Sequence, residues 1–221
     1  MAQIHNPATD TRVARSLDKA QAQSHRNPKT IQRARTLDEL EAQFTAIETR
    51  AKALVASAGA ELSNTSPTAG SWSAIECLLH LNISADAYFP IWQQIIANAG
   101  PRKAGMNAPY RTDFWGRLLS WILEPPPRIR SKTPVPFEPI VRGTIESVLS
   151  GFLERQQRIV AALDRCRGRA IDQVRMASPA DPRIRYSIWS SFLIVAAHQR
   201  RHLSQAEQAV LTLRNVKQPS A

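Results

Sequence analysis

Glycine is scarce, at 8 of 221 residues, and no valine-rich alternating run occurs. Both absences argue against sheet and for helix. The two cysteines, Cys77 and Cys166, stand in helix-like stretches without CxxC spacing, so neither a disulfide framework nor a structural zinc knuckle is expected. There is no secretory hydrophobic region. The longest apolar run, residues 188–197 with serines inside it, is too short to span a bilayer. A Gly-rich phosphate loop and an ordered Ser–His–acid set are missing as well. The expectation is a soluble protein of a reducing cytoplasm, with no membrane association.

What is present suits one well-buried domain and a tail: the length is ample for a single core, and apolar residues make up 43%. Positive charge is in excess, with a net +11. Much of it lies early, where Arg12, Arg15, Lys19, Arg26, Lys29, Arg33 and Arg35 face only Asp10 and Asp18. Residues 1–35 therefore read as a basic, flexible extension that could attract a polyanion without reading sequence. No motif for sequence-specific nucleic-acid recognition accompanies it.

Four long amphipathic helices follow, which predicts an all-α four-helix bundle over residues 36–213 and a frayed end over 214–221. The first opens on a capping box, Thr36-Leu37-Asp38-Glu39, and carries one apolar stripe through Leu37, Leu40, Phe44, Ile47, Ala51, Leu54, Ala58 and Leu62. The second opens on Ser73-Ala74-Ile75-Glu76, with Trp72 placed to pack over its entry, and runs towards Ala99. Pro90 should kink or divide it. A Pro-rich crossover over residues 101–142 holds a short amphipathic helix, 114–123. Its aromatics Trp115, Trp121 and Phe137 suggest a packed lid or wall, with a partner-chain patch as the competing reading. The third helix, about 144–166, carries Gln156 in mid-stripe, where a hydrogen bond within the core is expected. A turn region covers 177–185, and the fourth helix runs over about 187–213.

Three histidines draw the helices to one purpose. His198 and His202 stand four residues apart, so both project from one face of the fourth helix. His80 lies one turn after Glu76 in the second. Three imidazoles from two helices are what a divalent transition metal needs when water or substrate keeps the remaining positions. Unrelated core or surface histidines are the alternative. Neutral imidazoles would leave an ion its full charge, enough to acidify a water or a thiol. Glu76 is a candidate to orient His80 or accept a proton, although as a capping carboxylate it already has a structural role. Gln205, three residues past His202, is a candidate to support that ring. Gln199 stands where a zinc protease would carry its glutamate, so HExxH chemistry is not expected. Arg200 falls roughly opposite the histidines and should point to solvent.

The stretches Trp72-Ser73-Ala74-Ile75-Glu76 with Leu79-His80-Leu81, and Ala197-His198-Gln199-Arg200-Arg201-His202-Leu203-Ser204-Gln205, resemble the DinB-like superfamily over about residues 36–213. That resemblance implies a four-helix bundle with one divalent metal ion (zinc, nickel or manganese) held by His80, His198 and His202. It implies transferase or hydrolase chemistry on a small-molecule substrate, in some members with a low-molecular-weight thiol. A homodimer is compatible with it. The contrasting reading is a non-catalytic metal- or ligand-binding module whose basic tail contacts a polyanion.

Overall fold

The structure, a computed structural model, describes residues 34–103, 105, 108–129 and 132–217. All of the expected basic extension before Ala34 lies outside the described residues, as does the expected frayed end from residue 218; residues 214–217, also expected to fray, continue the last helix instead. Five α-helices, one 3-10 turn and a two-stranded hairpin make up the described part: α1 (Leu37–Asn64), α2 (Ala74–Ile96), α3 (Phe114–Leu123), the 3-10 turn (Val135–Phe137), α4 (Ile145–Arg165), β1 (Arg175–Ala177), β2 (Arg185–Ser187) and α5 (Ile188–Lys217).

Both predicted capping boxes form. Thr36 accepts from the Glu39 amide at 3.2 Å, and the Glu39 carboxylate accepts from the Thr36 amide at 3.3 Å. These bonds satisfy donors that a helix start would otherwise leave bare. The stripe of α1 is buried from Leu37 to Ala58. Its course is not straight, however. Gly59 takes φ 68°, ψ 175°, and splits α1 into two helical pieces. Glycine alone enters that region without a Cβ penalty, so the interruption falls on it. Of the two outcomes expected at Pro90, division does not occur: α2 continues through it to Ile96. The lost hydrogen bond is outweighed by packing on either side. Phe89 and Ile96 are buried, and Trp92 stacks on Phe192 at 4.2 Å while donating to Ser191 Oγ at 2.8 Å.

Cross-helix contacts fix the directions. Asn82 donates to the Val148 carbonyl, Asp86 binds Arg155, and Arg158 covers the Phe89 ring, so α2 and α4 run parallel. His80 meets His198, while Trp92 meets Ser191 earlier in α5, so α2 and α5 are antiparallel. Gln43 with Arg200 and Arg50 with Glu207 make α1 and α5 parallel. A parallel α2–α4 pair requires the chain to return the length of the bundle between them, and the Pro-rich crossover is that return.

The crossover is a packed wall in part. Trp115, Leu119 and Leu123 pack against the core, whereas Phe114 and Trp121 face outward and Phe137 is half-buried. Its helix approaches α5 closely because position 116 is glycine: a Cβ there would lie 2.2 Å from Ser190 Oγ. The Asp113 carboxylate accepts from the Gly116 amide, the Ser187 amide and Ser190 Oγ, capping α3 and fastening it to the start of α5. Burial opposes ionisation of Asp113, but these hydrogen bonds prevail and hold its pKa below the usual range.

The expected turn region at 177–185 is present, and the structure adds a short hairpin around it with loop 178–184, in which buried Met176 pairs with buried Tyr186. Two further expectations are corrected. Gln156 is buried, yet neither amide atom finds a hydrogen-bond partner. Its neighbours one turn away, Phe152 and Ile159, offer nothing polar. Arg200 does not reach solvent: it is 8% exposed and bound to Glu124.

Candidate metal centre

The helix spacing puts His198 and His202 on one face of α5, and the antiparallel α2 delivers His80 opposite them. The ring centroids lie 5.0 Å apart for His80 and His198, 4.5 Å for His80 and His202, and 4.6 Å for His198 and His202. One ring nitrogen from each lies within 4.8 Å of the other two. His80 Nε2 and His198 Nε2 are 3.1 Å apart. Two nitrogens each about 2.0–2.1 Å from a shared tetrahedral ion would stand about 3.3 Å from one another, so this pair has the spacing of two ligands to one ion.

Protonation suits the same purpose. His80 Nδ1 donates to the carbonyl of Phe137 at 2.8 Å. That bond fixes the tautomer and leaves the Nε2 lone pair directed at His198. Burial lowers the pKa of all three rings. For His198, which falls well below the ordinary value, the neighbouring His202 and His80 and the charge of Arg201 act in the same direction as burial. His202 is pushed down to about 3, by burial first and then by His80 and Arg201. At neutral pH the three rings are uncharged, which is the form that ligates. The donor set suits a divalent metal ion, which His80, His198 and His202 could hold.

Around the rings the sequence reading missed several partners. Trp72, expected over the entry to α2, also lies against His80 at 4.9 Å and His202 at 5.6 Å between ring centroids. Glu76 does not turn towards the histidines. Its Oε2 accepts from the Ser73 amide and from Ser73 Oγ, both at 2.7 Å. Gln205 is exposed beside His202 and favours that ring's charged form, but no well-aligned hydrogen bond reaches His202 Nδ1, which is buried and unpartnered.

The crossover contributes through its backbone. Besides the Phe137 carbonyl, the carbonyls of Ile122 and Ile129 accept from Arg201 at 3.3 and 2.7 Å. Arg200 Nε and Nη2 bind the two Glu124 oxygens at 2.6 and 2.7 Å, and Nη1 donates to Gln43 at 2.9 Å. Main-chain acceptors leave no mark in a sequence. The buried Arg200 did leave a signal. Residues 188–197 are apolar on every side apart from serines, which identifies α5 as the central helix, and its next turn inherits that burial.

A sequence model described as the DinB superfamily matches residues 43–206. No curated protein and no solved structure matches the chain.

Proposed function

We propose, from the premise that the chain belongs to the DinB superfamily, that it is a metal-dependent enzyme acting on a small molecule, by thiol S-transfer or by hydrolysis. The observation supporting this reading is the convergence of three uncharged imidazoles, one of them set in a single tautomer by the crossover. A divalent ion held there would supply Lewis-acid activation of a thiol or a water.

The remaining work falls to the chain. Phe137 orients His80 through its carbonyl. Trp72 covers one side of the rings with an apolar surface, which keeps water from competing there. Arg201 places a positive charge beside His198 and His202 and favours an anionic nucleophile over a neutral one. Glu76, occupied in its cap, is not assigned a proton-transfer role in this reading.

The test is turnover by the full chain loaded in turn with zinc, nickel or manganese. One assay supplies a low-molecular-weight thiol and an electrophilic acceptor; the other omits the thiol. His198→Ala should lose both stoichiometric metal and turnover while keeping its helical content. Tight metal binding with no turnover in either assay would replace the enzyme with a binding module. Failure to bind metal would overturn the reading.

A further inference from the structure

At the opposite end of α2 from His80, the first residues of the crossover and the turn after α4 border an open cavity of about 530 Å³, lined by Arg102, Lys103, Pro109, Arg111, Asp172 and Gln173. The stretch of α2 from His80 to Ile96, at about 1.5 Å per residue, separates it from the histidines by about 25 Å. Its volume lies in the range of small-molecule sites, about 300–1,000 Å³.

The walls are tied together. Arg102 N donates to the Gly168 carbonyl at 2.8 Å, and Ala170 N donates to the Gly100 carbonyl at 2.9 Å. Tyr110 stacks on Trp189 at 4.7 Å. Arg111 N donates to Asp172 Oδ2 at 3.0 Å, which commits one oxygen of the cavity's single carboxylate to the backbone. Among the described residues, no ion pair involves Arg102, Lys103 or Arg111.

Arg102 is held in place rather than free. Its guanidinium lies 3.8 Å over the Tyr110 ring, and Nη2 donates to the Pro109 carbonyl at 2.8 Å. Nη1 is buried without a partner. Nη1 has almost no solvent exposure, so Lys103 and Arg111, both exposed, carry the most accessible positive charge of the cavity. Three cationic residues line the cavity, two of them planar forks and one a point charge. That set suits a dianion with several outward oxygens better than a planar carboxylate, which one fork would satisfy.

We propose that this cavity binds the phosphate group of a phosphorylated small molecule, held by Arg102, Lys103 and Arg111. The site is separate from the three-histidine centre, and its existence does not depend on the activity of that centre.

The experiment is calorimetric titration of the full chain with inorganic pyrophosphate, with acetate at matched ionic strength as the carboxylate arm. The expected result is saturable one-to-one binding of pyrophosphate and none of acetate. Arg102→Gln should weaken it roughly tenfold or more, the loss expected for one charge-assisted contact. Lys103→Gln and Arg111→Gln change exposed side chains, so they keep the test meaningful if Arg102→Gln fails to fold. Binding should persist in His198→Ala. Pyrophosphate binding unchanged in all three cavity variants would place it on the basic surface at large and overturn the proposal. Loss in His198→Ala, or equal affinity for acetate, would overturn it too.

Discussion

Glu124→Ala is the most informative single change, because it separates the two arginines between the histidines. Arg200 and Glu124 form a two-pronged ion pair at 2.6 and 2.7 Å, with each side chain 10% exposed. Removing the carboxylate would leave a buried cation with only Gln43 as a side-chain partner. Breaking a buried pair from one side costs about 3–5 kcal/mol, since the orphaned charge keeps its desolvation penalty. For a body of this size each kcal/mol lowers the melting midpoint by about 2–4 °C, so a fall of about 10 °C is expected. The assay is thermal unfolding by circular dichroism, with and without a chelator. Glu124→Leu combined with Arg200→Met should recover most of the loss, because an apolar pair of similar size carries no charge to desolvate. Metal affinity should drop in Glu124→Ala as well, since the same crossover presents the Phe137 carbonyl to His80. A midpoint shift under about 2 °C would show that water already screens the pair and would refute the reasoning. A double variant no better than the single would refute it from the other side.

Stability of the metal-free protein should fall as pH drops from about 6.5, the ordinary histidine value, towards 3. In that window the unfolded chain binds protons that His198 and His202 refuse, so unfolding takes up protons and acid favours it. Urea midpoints at pH 7.5 and pH 5 measure this, and a pH-independent midpoint would contradict the neutral rings. Gly116→Ala should destabilise by about 1–3 kcal/mol through overpacking, because its Cβ would meet Ser190 Oγ at 2.2 Å; an unchanged denaturation midpoint would deny the close approach of α3 and α5. Cys77 and Cys166 are both buried, with thiol pKa values raised by burial to about 12, so the native chain should resist thiol-modifying reagents. Rapid labelling at neutral pH would show that one of them is accessible.

Much of this protein could be read along the chain, because the features concerned are local. A capping box spans four residues and a helical stripe repeats within a turn, so Thr36, Ser73 and the apolar faces of α1 and α4 announced their helices. His198 and His202 share a face through helix geometry alone. Features that depend on what lies across the bundle were decided only by the tertiary structure. Pro90 remains helical because Trp92 and its partners hold the helix around it, and Trp72 turns to the histidines because α5 brings them there. Arg200 is buried because α3 returns Glu124 to it from 76 positions earlier in the chain. Helical phase indicates which way a side chain leaves its own helix. Whether it then meets water, a carboxylate or a backbone carbonyl is set by segments distant in sequence, and the carbonyl of Phe137 would be there whatever side chain position 137 carried.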